Sequence, residues 1–279
     1  MNSSQQTDAA PIGVFDSGVG GLSVLRQIRQ QLPHESFVYV ADSRFAPYGQ
    51  RSDAFIQQRS LTLTRFLVDQ GAKLVVVACN TATAAAVQLL RDTFSIPIVA
   101  MEPAVKPAVQ LTRSGRIGVL ATTGTLASAR FAALLDRFGS GVEVHTRPCE
   151  GWVECVEQGH WQDASAIDLV RRQVAPLLEK NVDTLILGCT HYPFLAPLIR
   201  QVAGDNVAIV DTGEAVARRV AQVLQINGLQ IDASSAPREQ FYSSRLDQSM
   251  IATTNALWGS PIRELTQLPD LHSNSETMA

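Results

Sequence analysis

Two of the four cysteines in this 279-residue chain, Cys79 and Cys189, share a setting that suits chemistry. They close the apolar runs of Leu74-Val-Val-Val-Ala-Cys-Asn-Thr and Leu185-Ile-Leu-Gly-Cys-Thr-His. A lone cysteine at the end of such a run is normally a small buried hydrophobe. Two in equivalent places, each followed by Asn80 or Thr190 that can cap a helix, point to reactive thiols, because a helix N-terminus favours the thiolate and lowers its pKa from about 8.5. Cys149 and Cys155 lack this setting and read as packing residues. Paired thiols serve as acid–base groups; one thiol with His191 would suit a hydrolase nucleophile. Cys79, Cys189 and His191 as metal ligands is a third reading, although Cys-x-His is not the usual zinc spacing.

Further polar groups follow other apolar runs. Asp16-Ser17-Gly18 comes after 12–15, and Pro47-Tyr48-Gly49 lies in the loop after 37–40. Asp16 is either a turn residue or a carboxylate that orients an ammonium or takes a proton from a nearby thiol. His191 has the same two readings, structural or acid–base. The hydroxyls of Ser17, Thr81 and Thr190 matter for their common location. Arg44 and Arg51 flank Tyr48 and read as solvated. Gly18-Val-Gly-Gly hints at a dinucleotide site, but Ser23 stands where the third glycine is needed and no P-loop lysine follows. Lys73, Lys106 and Lys180 are the only lysines, and none is placed for a pyridoxal Schiff base.

These motifs need strands that end together. Short apolar runs at 12–15, 37–40, 74–78, 96–99, 117–120, 142–144, 184–187 and 208–210 alternate with helix-length segments, among them 53–70, 81–93, 126–138 and 163–180. Such alternation predicts an α/β protein with parallel sheets covered by helices, and ligands sit beyond the carboxyl ends of such strands. The pattern also repeats: Ile12-Gly-Val-Phe-Asp-Ser-Gly is echoed 105 residues later by Ile117-Gly-Val-Leu-Ala-Thr-Thr-Gly, and Cys79 by Cys189 after 110. Two similar halves would face each other across a cleft.

Composition agrees with a globular chain. Hydrophobic residues make up 46% and charged ones 18%, with a net charge of −3 and no basic cluster to neutralise phosphates. Nucleic acid is therefore not an expected partner. No signal-like N-terminus and no membrane-length apolar run is present, which predicts a cytoplasmic protein with reduced thiols. From 261 the chain turns polar and reads as a loose tail, as do residues 1–10.

Four motifs together carry a resemblance. Phe15-Asp-Ser-Gly-Val-Gly-Gly-Leu-Ser, Pro47-Tyr-Gly, Ala78-Cys-Asn-Thr-Ala and Gly188-Cys-Thr-His-Tyr-Pro stand in the order found in glutamate racemases of the aspartate/glutamate racemase family. The similarity runs from about Ile12 to Leu224. It implies two similar α/β domains, 11–101 plus 212–260 and 102–211, with the active site in the cleft. It implies Cys79 and Cys189 as catalytic thiols, supported by Asp16, His191 and Glu157. Substrate contacts would fall on Asp16, Ser17, Pro47, Tyr48, Gly49, Asn80, Thr81, Thr125, Thr190 and His191. Family members usually read Cys-Pro-x-Phe-Val-Pro-Leu-Val-Glu where this chain has Cys149-Glu-Gly-Trp-Val-Glu-Cys-Val-Glu157, so Glu154 competes with Glu157 as the supporting acid.

The activity implied is cofactor-independent racemisation of glutamate, without a metal, supplying D-glutamate for peptidoglycan. A homodimer and activation by a cell-wall precursor stay open. Two thiols suit this reaction, since inverting a stereocentre needs a base on each face. The rival within the family is an aspartate racemase, which usually carries Glu near the second cysteine where this chain has His191-Tyr-Pro.

Overall fold

The computed structural model describes residues 10–231 and 237–270. The first part of the chain runs β1 (Ile12–Asp16), α1 (Leu22–Gln31), β2 (Phe37–Ala41), α2 (Asp53–Asp69), β3 (Leu74–Val77), α3 (Asn80–Thr93) and β4 (Ile98–Ala100). It continues through α4 (Val105–Leu111), β5 (Arg116–Ala121), α5 (Thr123–Ala127), α6 (Ala129–Phe138), β6 (Glu143–Pro148), α7 (Trp152–Glu157), α8 (Ala164–Leu178), β7 (Thr184–Gly188), α9 (Ala196–Ala203) and β8 (Ala208–Val210). It ends with α10 (Gly213–Ile226), β9 (Glu239–Ser243), α11 (Gln248–Trp258) and β10 (Leu265–Gln267).

Two parallel sheets result, in the orders β10-β9-β2-β1-β3-β4 and β6-β5-β7-β8. The four strands β2-β1-β3-β4 match β6-β5-β7-β8 one for one, so the sequence repeat is a repeat of topology. Register sharpens the match: Phe15 pairs with Val77 and Leu120 with Leu187, which sets Cys79 and Cys189 each two positions past the paired residue of its strand.

Burial explains the strands. Every residue of β1, β2, β3 and β7 is buried, as expected for strands with helices on both faces. One apolar core lies between the first sheet and α2 with α3, and another between the second sheet and α4 with α6. The largest is shared by both lobes, joining Leu22, Leu25 and Ile28 of α1 to Trp152 and Tyr192, whose rings meet edge to face at 4.8 Å.

Two expectations are corrected. Segment 126–138 is broken at Ser128, whose hydroxyl accepts from Phe131 N at 3.1 Å and caps α6, so a short helix precedes a second one. The loose tail expected from 261 is also shorter. Leu265, Thr266 and Gln267 pair with Phe241, Tyr242 and Ser243, and Leu268 is buried. Gly259 ends α11 in a left-handed cap (φ 86), and the chain then returns to the sheet edge. The outer parts of the expected tails, 1–9 and 271–279, lie outside the described residues.

Candidate active site

The carboxyl ends of β1, β3, β5 and β7 meet where the lobes face each other. Asp16 is wholly buried at the end of β1, with Oδ2 accepting from the backbone of Gly18 (3.2 Å) and Gly21 (2.9 Å). Its Oδ1 accepts from Ser17 Oγ (3.5 Å) and, across the cleft, from Thr190 Oγ1 (3.3 Å). Burial raises this carboxyl to about 6, against the lowering influence of His191 and the two amides.

Cys79 is itself the cap of α3, its sulfur 3.4 Å from Ala82 N, and its thiol donates to Ser17 Oγ at 3.6 Å. Cys79, Ser17 and Asp16 thus form a continuous chain. The expected lowering of the Cys79 pKa by the helix end does not prevail: burial, then the Asp16 charge, push it well up. A helix end contributes about 0.3–1 kcal/mol, whereas full burial shifts a group by up to about 3–5 pKa units, so the thiol keeps its proton.

Cys189 is held differently. No helix begins at its sulfur; Thr190 and His191 lead into a 3-10 turn at Tyr192–Leu195. His191 Nδ1 lies 3.7 Å from the Cys189 sulfur, and His191 Nε2 lies 2.7 Å from Glu157 Oε1. Burial opposes charge on His191, but its hydrogen bonds to Cys189 and Glu157 outweigh it and raise the imidazole well above its usual range. Glu157 reaches this position because Gly151, with φ 81, turns the chain from β6 into α7. Of the two carboxylates left open, Glu157 meets His191, while Glu154 lines the cleft mouth with Pro47, Gly49 and Thr122.

The remaining residues fall into four groups. Asn80 is buried, and neither atom of its amide has a partner among the described residues, as for a group reserved for a ligand. Thr81, Thr122 and Thr125 form a hydroxyl triangle of 2.9, 3.3 and 3.0 Å between the N-terminal turns of α3 and α5. Pro47 and Gly49 line the mouth, but the Tyr48 hydroxyl is turned away and donates to Asp42 at 2.5 Å, so any Tyr48 contact in the cleft is made by backbone. Arg51 stacks on Phe55 and Arg44 lines a separate cavity of about 450 Å³, in keeping with solvated side chains.

Sequence reasoning missed Thr122, Ser23, Gly18 and Gly20. Thr122 was visible in the repeat, where it corresponds to Ser17 at the 105-residue offset. Ser23 Oγ lies 2.8 Å from the Thr190 carbonyl and ties the lobes together. The glycines that hint at a nucleotide site instead lie against Glu157 and His191: a Cβ at Gly18 would stand 1.9 Å from Glu157 Oε1, and one at Gly20 2.3 Å from His191 Nδ1. Lys73 pairs with Glu35 at 2.7 Å, at the opposite end of β3 from Cys79. No group of three or more metal-ligating residues occurs among the described residues.

Two like lobes bring one thiol each to a shared buried cleft, Cys79 beside Ser17 and Asp16 and Cys189 beside His191 and Glu157, an arrangement of the kind that suits proton transfer at two faces. The chain belongs to the Asp/Glu/Hydantoin racemase family, whose model matches residues 12–220. It is 53% identical to the glutamate racemase of Pseudomonas aeruginosa, covering 91% of this chain and 96% of that one. Among solved structures, a glutamate racemase isoform from Bacillus anthracis superposes with a TM-score of 0.86 at 34% identity, over 95% of this chain and 99% of that one. The Escherichia coli glutamate racemase, solved with L-glutamate and the activator UDP-MurNAc-Ala, gives 0.82 at 32% identity over 93% and 98%.

Proposed function

We propose that this protein interconverts L- and D-glutamate, supplying the D-enantiomer for peptidoglycan, with Cys79 and Cys189 as the two acid–base groups. The observation that carries this reading is the placement of both thiols just beyond the carboxyl ends of equivalent strands, β3 and β7, in one cleft.

The two sides are poised differently. On the Cys79 side, burial keeps a proton on sulfur, ready to be given to a carbanion, and Ser17 leads that sulfur to the Asp16 carboxylate. On the Cys189 side, His191 Nδ1 lies 3.7 Å from sulfur, within reach for proton exchange, and Glu157 supports His191 through Nε2 at 2.7 Å. Cys189 then removes the α-proton of L-glutamate and Cys79 protonates the other face; D-glutamate runs the sequence in reverse. Negative charge developing on the substrate carboxylate meets the Asn80 amide and the first-turn N–H groups of α3.

The polar cluster needs no electron sink for this chemistry, and Lys73 is committed to Glu35 away from the cleft. Activity should survive dialysis against a chelator and treatment with hydroxylamine. Incubation with L-glutamate or L-aspartate, followed by chiral chromatography, tests the substrate: D-aspartate without D-glutamate would replace this reading with its rival. The proposal places the enzyme in the cytoplasm; among the described residues no helix is long and apolar enough to cross a membrane. It extends to a homodimer, checked by native mass, and to activation by a cell-wall precursor such as the UDP-MurNAc-Ala of the Escherichia coli relative.

A further inference from the structure

The turn at 18–20 belongs to the first lobe, yet it ends on the second lobe's acid–base groups. Val19 N–H donates to Glu157 Oε1 at 2.6 Å, the same oxygen that lies 2.7 Å from His191 Nε2. Gly18 and Gly20 do not have positive φ, so their lack of a side chain provides space and not backbone freedom. That space is taken by the Glu157 carboxylate and the His191 ring. A carboxylate end could ordinarily swing aside; this one is held from both sides, and the ring is fixed between it and Cys189.

The site must also open. Cys79 and Cys189 are 5% and 8% exposed, and the cavity at the cleft mouth, about 30 Å³, has room for about one water and not for an amino acid. Parting the lobes to admit substrate withdraws Val19 from Glu157.

We propose that the turn at 18–20 is a positioning element for Cys189: when the lobes meet, the Val19 N–H orients Glu157, the bare Gly20 backbone seats the His191 ring, and the Cys189 base is completed only in the closed cleft. This rests on the reading of Cys189 as an acid–base thiol. The proposal makes Gly18, Val19 and Gly20 part of the reaction although none bears a reactive group. The charged and titratable neighbours of the relay are Asp16 of β1, Tyr39 of β2 and Arg245 beyond β9, with Cys79, Cys149 and Tyr192 around Cys189. The glycine substitutions below remove none of these groups.

The test is the pH dependence of the ultraviolet thiolate absorbance of the substrate-free, full-length protein, in Gly20→Ala and Gly18→Ala, with each thiol read as the difference from the matching Cys79→Ser or Cys189→Ser protein. The half-point of Cys189 should rise by about one unit, with Cys79 unchanged. In parallel, kcat should fall about 100-fold while KM stays within about threefold. Thr122→Val loosens a different cross-lobe contact and should leave the Cys189 profile where it is. The atoms nearest a Cβ at Gly18 all belong to the Glu157 carboxylate group, so Gly18→Ala carries the test even if Gly20→Ala fails to fold. An unmoved Cys189 profile in the glycine variants, or an equal shift in Cys79 or in Thr122→Val, overturns the proposal. The absorbance reading needs no turnover, so that failure is separate from a failure of racemisation, which Cys189→Ser would reveal by remaining active.

Discussion

Thr190 Oγ1 donates to Asp16 Oδ1 at 3.3 Å across the cleft, so the hydroxyl next to one thiol holds the carboxylate at the end of the other thiol's hydrogen-bond chain. Asp16 has no counterpart in the second lobe. At the 105-residue offset its place is taken by Ala121, and the second lobe draws its acid from α7 as Glu157. The repeat has kept its thiols and exchanged their partners, which gives the two sulfurs different hydrogen-bond neighbours at equivalent positions.

Asp16→Asn should make the protein more stable and much less active. Its folded pKa, about 6, lies above the ordinary 3.8, so the folded state binds more protons between those values and stability falls as pH rises through that window. The interval corresponds to about 3 kcal/mol at most. Thermal unfolding should show Asn raising Tm at slightly alkaline pH with little gain near pH 4, while kcat drops about 100-fold. In the wild type, kcat/KM should decline as pH falls through about 6, and this limb should be absent in the variant. A lower Tm at both pH values would make the carboxylate a structural anchor instead.

Glu157→Gln and Glu154→Gln separate the two acids one helical turn apart. Gln at 157 keeps the hydrogen bond from Val19 but loses the charge that holds His191 protonated, so kcat should fall at least tenfold with little change in KM. Gln at 154, at the cleft mouth, should change kcat less than about threefold. Equal losses from both would return the assignment to the tie that the sequence alone presents.

Replacing either Cys79 or Cys189 by Ser should lower turnover in both directions by at least about 100-fold, since each is a base one way and an acid the other. Polarimetry starting from each enantiomer measures this. Near-normal turnover in either variant removes the two-thiol mechanism.

How far the sequence could be read depended on how far each signal acts along the chain. All eight apolar runs became strands: continuous burial leaves its local mark on β1, β2, β3 and β7, while β4, β6 and β8 come from apolar runs that are only partly buried. β9 and β10 were missed: Glu239 and Gln240 are exposed edge residues and only Phe241 and Ser243 turn inward, so neither strand is apolar enough to stand out. The thiols and Asp16 were legible from their place after those runs. The pairing of His191 with Glu157 spans 34 residues, and the seating of both on Gly18 and Gly20 spans two lobes, so neither leaves a spacing to recognise. The Cys79 pKa was read in the wrong direction because a cap is visible in sequence whereas complete burial depends on the whole fold.

The fate of the substrate hydrogen in deuterium oxide discriminates most sharply. The Cys79 sulfur is linked to Ser17 and Asp16, while the Cys189 sulfur is linked to His191 and Glu157; the hydrogen-bond chains from the two sulfurs end on different carboxylates. A proton taken from L-glutamate by Cys189 therefore stays on its own side, and Cys79 delivers one already exchanged with solvent. Early D-glutamate should carry deuterium at the α-carbon. Unreacted L-glutamate should keep its protium, because a carbanion protonated from the opposite face leaves as product. A single base serving both faces would carry substrate hydrogen into the product or wash deuterium into both pools together. Mass spectrometry of the separated enantiomers at low conversion reads the difference, and protium in the first D-glutamate formed would exclude two independent thiols.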